Sequence, residues 1–107
     1  MIEATILRDE GKIFGFRIRG HAECVTGGEY DLVCCAVSIL TENTVNSIET
    51  LTTDRPLREE VQEGFLDFEL SKECTEASRL LMDAMLLGLK SIETQYGKHL
   101  TIRFEEE

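Results

Sequence analysis

The sequence predicts an α+β fold: one domain over residues 1–107, in which two helices pack on one face of a mainly antiparallel sheet. Short segments in which apolar and polar residues alternate recur along the chain, as they do in half-buried strands. Two longer segments carry their apolar residues at helical spacing instead. The length of 107 residues suffices for one hydrophobic core and is too short for two.

The alternating segments predict the strands of the sheet. They occupy residues 2–7, 13–19, 65–70 and 100–104. The first two flank a turn at residues 9–12, so we expect them to pair as a hairpin. Val61 is a weak candidate for one more short strand, because the Glu63-Gly64 turn follows it closely.

The first helix is predicted from Asp31 or Leu32 to about Leu51. Its apolar stripe collects Val33, Val37, Leu40, Thr44, Ile48 and Leu51. Asp31 is of the residue type that caps helix N-termini, and we expect it to do so here. The Asp-Arg-Pro segment at residues 54–56 ends this helix, because the residue before a proline avoids the helical conformation.

The second helix is predicted from about Cys74 to Tyr96. Ser71 or Thr75 is expected to cap its start, and Gly97 is expected to adopt the left-handed conformation at its end. Its apolar band is unusually wide and contains Leu80, Leu81, Ala84, Met85, Leu87, Gly88 and Ile92. Such a helix either packs on the sheet and on a second subunit, or it is simply the central core helix. Both interpretations stay open.

The composition excludes some classes of partner. A formal charge of −10 argues against direct binding to a nucleic-acid backbone, which needs clustered Lys and Arg. An acidic surface instead attracts basic partners, including basic polypeptides. No apolar run approaches the roughly 20 residues that span a membrane, and the start of the chain lacks the pattern of a secretory signal. We therefore expect a cytoplasmic protein without a nucleic-acid or membrane partner.

In that reducing compartment, the four cysteines are expected to be free thiols. The chain has no Cys-x-x-Cys pair, and the adjacent Cys34 and Cys35 are poorly spaced to bind one ion, so we expect no metal and no cofactor. Cys35 is interpreted as core packing, because its side chain diverges from that of Cys34 by about 100° around a helix. Cys24 has no activating neighbour in its loop, and Cys74 is interpreted as packing near the second helix.

His21 and Cys34 form the candidate catalytic pair. His21 follows the end of the second strand, Cys34 falls in the first turn of the first helix, and such ends commonly meet at one edge of a layered fold. A free cysteine thiol has a pKa of about 8.5, and a helix N-terminus and a nearby imidazolium both stabilise the thiolate. The N–H groups of Cys34 and Cys35 are candidates to hold an oxyanion. The alternative is a buried, inert cysteine and an unrelated histidine.

Several neighbours are candidates for supporting roles. Asp31 either caps the helix or orients His21, and capping is the simpler role. Ser38 lies one turn after Cys34 on the same face and either bonds within the site or packs between helices. Residues 20–30 show no periodicity and contain Gly27 and Gly28, which predicts a mobile loop. His99 has no nucleophile near it in sequence and is interpreted as a surface residue.

Three short segments around the candidate pair carry a resemblance. They are Gly20-His21-Ala22, Asp31-Leu32-Val33-Cys34 and Ala36-Val37-Ser38. With them, the chain resembles the ribosomal-processing cysteine protease family of bacteria, and the Thr-Asp-Arg-Pro segment at residues 53–56 and the Leu-rich second helix extend the match over essentially the whole chain. Members of that family remove a short N-terminal extension from a basic ribosomal protein, number twenty-seven of the large subunit.

The resemblance implies specific roles and partners. It implies that His21 and Cys34 are the catalytic dyad, and that the loop containing Gly27 and Gly28 is a mobile lid over a peptide cleft. It also implies a homodimer whose substrate is the ribosomal-protein precursor. Cys35 departs from the family pattern, which usually has Ala or Ser at that position. The difference in volume is small, so we expect activity to persist.

Two other functions compete with peptide hydrolysis. One is a non-enzymatic acidic module that binds a basic ribosomal protein during ribosome assembly. It predicts that single substitutions of His21 and Cys34 leave function intact. The other is a redox-sensing thiol protein, for which Cys35 is an awkward partner of Cys34, because neighbouring side chains diverge around a helix.

Overall fold

A computed structural model describes residues 1–20 and 27–107, and the predicted α+β class is confirmed: two helices pack with a five-stranded sheet. In chain order the elements are β1 (Ile2–Asp9), β2 (Lys12–Arg19), α1 (Glu29–Leu51), β3 (Arg58–Gln62), β4 (Phe65–Glu69), α2 (Glu76–Tyr96) and β5 (Leu100–Glu106). Neither of the described helices is long and apolar enough to cross a membrane.

The strands lie in the order β3-β4-β2-β1-β5. All neighbours are antiparallel except β1 and β5, which run parallel with Ile2 opposite Leu100. The predicted hairpin of β1 and β2 is confirmed, with Asp9 paired to Lys12 across its turn. Glu10 (φ 52°) and Gly11 (φ 79°) form that turn in the left-handed region, as a two-residue hairpin loop requires.

One face of the sheet and the inner sides of both helices form the core. The side chains that are completely buried on the strands include Ile2, Ala4, Ile6, Phe16, Ile18, Leu66 and Phe68. From the helices, Val37, Ile48, Met82 and Leu89 join them. The opposite face is polar, and there Asp67 pairs with Arg17 and Arg58. This division confirms that the period-two pattern distinguishes a buried face from a solvated one.

The structure corrects three local expectations. The N-cap of α1 is Gly28, not Asp31, because the helix begins at Glu29 and includes Asp31 in its first turn. Gly97 is right-handed (φ −60°, ψ −13°), because the N–H of His99 closes a further turn on the carbonyl of Tyr96. β3 is a full strand, since the turn that argued against it is the hairpin turn that joins it to β4, with Val61 opposite Leu66.

The segment between α1 and β3 caps α2. Thr75 is the N-cap, and its hydroxyl accepts the N–H of Ser78 at 3.2 Å. The carboxylate of Asp54 in turn accepts the N–H of Thr75 at 3.1 Å and its O–H at 2.6 Å, and it also accepts the hydroxyl of Ser78. A single carboxylate therefore joins the end of one helix to the start of the other. Of the two predicted caps, Thr75 is the one observed.

Two tightly packed glycines differ in what an added methyl group would meet. At Gly15 a Cβ would lie 2.7 Å from the backbone oxygen of Phe68, whereas at Gly88 it would meet only the tip of Leu40. We expect Gly15→Ala to lower the free energy of unfolding by about 1–3 kcal/mol, because backbone cannot move aside as a side chain can. Gly88→Ala is the matched control. Its gain of about 1 kcal/mol in helix propensity offsets a small shift of Leu40. Urea unfolding of both variants checks the difference, and equal losses would contradict it.

Candidate active site

The start of α1 lies against the end of β2, as the position of the candidate pair requires. Gly20 directly follows β2 and has φ 90°, and a Cβ there would lie 2.7 Å from the backbone oxygen of Met1. The hydroxyl of Tyr30, in the first turn of α1, donates to the carbonyl of Gly20 at 2.6 Å. This hydrogen bond fixes the helix start to the strand end one residue before His21. His21 itself lies outside the described residues, as does Cys24.

Cys34 is a free thiol whose side chain is completely buried. It lies in the second turn of α1, not the first, because the helix begins at Glu29. The N–H of Leu32 already donates to the carbonyl of Gly28 at 3.1 Å, so helical bonding begins before Cys34 is reached. The N–H groups of Cys34 and Cys35 therefore belong to the helical ladder. The expectation that they hold an oxyanion is wrong for this arrangement.

Tyr30 is a neighbour of Cys34 that the sequence analysis did not single out. It precedes Cys34 by one helical turn and shares its face of α1. Burial raises the pKa of the Tyr30 phenol, and a hydrogen bond with the Cys34 side chain and the charges of Cys34 and Asp31 raise it further. The phenol therefore stays protonated beside the sulfur. The signal in the sequence was an aromatic hydroxyl four positions before the candidate nucleophile.

His99, interpreted from the sequence as a surface residue, is attached to the start of α1. Its ring meets that of Tyr30 edge-on, with 5.6 Å between centroids and 64° between planes. Its Nε2 lies 2.9 Å from a carboxylate oxygen of Glu29. His99, the residue before β5, thus contacts two residues in the first turn of α1, and one of them, Tyr30, also packs against the core.

The remaining predicted residues lie around this centre. Asp31 is buried, and its carboxylate accepts the N–H of Gly27 at 2.7 Å, so it ties the preceding chain to the helix. Ser38 is half-buried one turn after Cys34, and its backbone oxygen lies 3.4 Å from the hydroxyl of Thr41. Gly27 has φ 77°, and Gly28 caps the helix. The lid predicted for this loop falls mostly on residues 21–26, outside the described residues.

The cysteines differ in state. Cys35 is half-buried and disulfide-bonded, so the expectation of four free thiols is wrong for this residue. Cys74 is free and buried near the start of α2, and burial raises the pKa of its thiol although Arg79 opposes the change. A thiol that resists ionisation suits packing, as predicted. Within residues 1–20 and 27–107, no three His, Cys, Asp or Glu side chains are grouped to hold a metal ion.

Known proteins resemble this chain over nearly its full length. The family model described as cysteine protease Prp matches residues 1–101. The ribosomal processing cysteine protease Prp of Bacillus subtilis (strain 168) is 33% identical, over 95% of this chain and 96% of the relative. The protein of the same name from Staphylococcus aureus (strain Mu50) is 28% identical, over 97% of each chain.

Solved structures show the same fold. The Prp protease from S. aureus with a covalently linked product peptide superposes with a TM-score of 0.83 at 28% identity, covering 98% of this chain and 100% of that one. Its complex with a substrate peptide gives 0.83 at 29% identity over the same shares. SMU.848 from Streptococcus mutans gives 0.81 at 30% identity, over 100% of this chain and 96% of that one.

Proposed function

This chain belongs to the family of cysteine protease Prp, and from that membership we propose that it removes the N-terminal extension of a ribosomal-protein precursor, number twenty-seven of the large subunit. The chain is a cysteine protease and not the non-enzymatic binding module that its composition left open. The observation that carries the proposal is the match, over 95% of the chain, to a relative named as a ribosomal processing protease. An S. aureus structure with a covalently linked product peptide supports peptide-bond cleavage as the chemistry.

We assign the nucleophile to Cys34 and the base to His21. His21 takes the thiol proton, and the sulfur attacks the scissile carbonyl carbon to form a tetrahedral intermediate. The carbon–nitrogen bond then breaks, and His21 returns the proton to the leaving amine. Water, deprotonated by His21, hydrolyses the thioester and restores the thiol. The bond from Tyr30 to Gly20 supports this assignment, because it holds the residue before His21 one helical turn from Cys34.

The burial of Cys34 sets a condition on this reaction. Its side chain has no exposed surface, so a substrate carbonyl reaches the sulfur only when covering atoms move. We propose that the segment ending in Gly27 and Gly28 acts as the lid, with Asp31 as the anchor of its last residues through the Gly27 N–H. We also propose that Ser38, one helical turn after Cys34, supports the site by hydrogen bonding within it. The net charge of −10 favours the approach of a basic precursor in the cytoplasm, where we place the protein.

A direct test uses the purified protein and a synthetic peptide that spans the junction between extension and mature ribosomal protein. We expect cleavage at one bond, detected by mass spectrometry, and loss of cleavage after thiol alkylation. A peptide of the mature N-terminus alone is the control substrate. Binding of the peptide without cleavage would contradict the proposed reaction, because it is the result that a non-enzymatic binding module would give.

We further propose a homodimer formed through the outer face of the two helices. Ile39, Leu80 and Leu87 are each at least 68% exposed there. Leu40 of α1 packs on Gly88 of α2. The residues that precede them, Ile39 and Leu87, therefore lie at the same height along the two packed helices. Exposed apolar residues that cluster in this way are typical of an interface.

Leu87→Glu is expected to weaken this dimer at least about 30-fold, because it places a charge in an apolar contact. Analytical ultracentrifugation over a concentration series measures the dissociation constant. Leu57→Glu, at an equally exposed leucine outside both helices, is the control and is expected to leave the constant unchanged. Equal effects of the two variants would contradict an interface on the helices.

A further inference from the structure

An open groove lies between α1 and β3, at one edge of the sheet. β3 is the last strand in the order β3-β4-β2-β1-β5, and within residues 1–20 and 27–107 no further strand pairs with its outer side. The groove has a volume of about 130 Å³, and it is lined by Glu42, Val45, Asn46, Glu59 and Val61. A cavity of about 150 Å³ holds one benzene molecule, so this groove has room for one side chain.

Two residues of β3 face the groove because of their register with β4. Glu59 is opposite Phe68 and Val61 is opposite Leu66, and both of these partners are completely buried in the core. Residues directly opposite each other in antiparallel strands project from the same face of the sheet. Glu59 therefore points to the helix side of the sheet, at a position where the alternating pattern calls for an apolar residue, and Val61 beside it is 51% exposed.

The carboxylates along this groove have no cationic partner. Glu49 follows Val45 by one turn of α1 on the same face, and in the part of the chain that the structure describes no Lys or Arg pairs with Glu42, Glu49 or Glu59. The Oε1 atom of Glu49 is buried, and no described residue donates to it. The pKa of Glu59 is raised by the proton that it would share in a hydrogen bond with Glu49, then by burial and by the charge of Glu49. A buried carboxylate without a partner is costly, so the group that this arrangement lacks is a cation.

We propose that this groove binds the part of the substrate that follows the scissile bond, as an extended segment whose Lys or Arg side chains pair with Glu42, Glu49 and Glu59. The inference rests on the proposed cleavage of a basic ribosomal-protein precursor. The same charges exclude another occupant of an open sheet edge, a second copy of this chain, because two acidic edges repel each other. The groove therefore selects a basic strand.

The groove is continuous with the candidate active site. The turn after β3 is fixed to the end of β2, since the N–H of Gly20 donates to the carbonyl of Gly64 at 2.9 Å. β3 therefore runs toward the site, and a segment that leaves the site along β3 is antiparallel to it, which is the more stable pairing. Glu42 and Glu49 lie about 12 and 22 Å beyond Cys34 along α1. At about 3.3 Å per residue, the segment reaches them about four and seven residues after the scissile bond.

The test compares two peptide substrates with the same junction and the same length. One has lysines at about the fourth to seventh residues after the scissile bond, and the other has alanines there. We expect the wild type to cleave the lysine peptide at least about tenfold faster, by kcat/KM, because the new hydrogen bonds join charged groups. The double variant Glu49→Gln, Glu59→Gln is expected to lose most of this preference. Glu105→Gln with Glu106→Gln changes the charge equally at the opposite edge of the sheet, and this control is expected to keep the preference.

A binding measurement separates this inference from the proposed function. In Cys34→Ala, which is expected not to cleave, fluorescence anisotropy of the labelled peptides gives their dissociation constants. Adding the two groove substitutions should weaken binding of the lysine peptide at least about tenfold. Equal affinities for the lysine and alanine peptides, or an equal loss in the control variant, would overturn the groove. Tight, groove-dependent binding of the lysine peptide without cleavage by the wild type would support the groove and overturn the proposed function instead.

Discussion

Replacing Cys34 by alanine is expected to abolish peptide cleavage, whereas Cys35→Ala is expected to retain most of it. Cys34 is the free thiol at the junction of α1 and β2, and the loss of an attacking nucleophile typically lowers the rate by at least about a thousandfold. The side chain of Cys35 diverges from that of Cys34 by about 100° around the helix, so its thiol does not face the proposed site even when it is reduced.

The measurement is the initial rate of precursor-peptide cleavage under reducing conditions. Thermal unfolding of Cys34→Ala is the control that tests whether the variant is folded, which is needed because Cys34 is completely buried. His21→Ala is expected to match Cys34→Ala, because nucleophile and base act as one unit. Loss of activity in Cys35→Ala together with full activity in Cys34→Ala would overturn the assignment.

The elements of the fold were predictable where the residue pattern is local. The β1–β2 hairpin followed from two alternating segments and a turn, and the stripe through Val37 and Ile48 gave the inner face of α1. The start of α1 was less predictable, because Asp31 has the chemistry of an N-cap residue but lies inside the helix. From there its carboxylate accepts the N–H of Gly27, the residue before the observed N-cap. The parallel pairing of β5 with β1 depends on contacts between the two ends of the chain, which no local pattern encodes.

The candidate site likewise has features that local sequence patterns predict and features that they do not. Cys34 was selected by its position near a helix start and by the flanking segments, both of which are local. The contact between the rings of Tyr30 and His99 was not predictable, because the two residues lie far apart in the sequence and meet only once β5 lies beside β1. The helix begins earlier than predicted, at Glu29, so Cys34 lies in the second turn and the N–H groups predicted to hold an oxyanion are bonded within the helix.

The second large effect is expected at Asp54, outside the active site. Asp54→Ala removes the carboxylate that accepts hydrogen bonds from the Thr75 backbone, the Thr75 hydroxyl and the Ser78 hydroxyl. Hydrogen bonds to a charged group contribute about 1.5–3 kcal/mol each and do not add fully, so we expect a loss of about 3 kcal/mol. For a domain of this size, that lowers the melting temperature by roughly 12–24 °C. Asp83→Ala, at an exposed acid within α2, is the control.

The pH dependence of stability separates the charge of Asp54 from its shape. Partial burial is the largest influence on the pKa of Asp54 and raises it, but the hydrogen bonds from Ser78 and Thr75 and the charge of Arg79 together outweigh burial and lower it. The unfolded chain has the ordinary value of about 3.9, so this stabilisation is complete above that pH and is lost as pH falls through the lower folded value.

Asp54→Asn keeps the shape and the accepting oxygen but not the charge. Its stability deficit relative to the wild type is therefore expected to be constant near neutrality and to shrink below about pH 4, as the wild-type carboxylate is protonated. Urea unfolding at pH 7 and at pH 3 measures the two deficits, and Asp83→Asn provides the baseline. A deficit that stays the same at both pH values would show that the geometry of the cap, and not its charge, holds the two helices together.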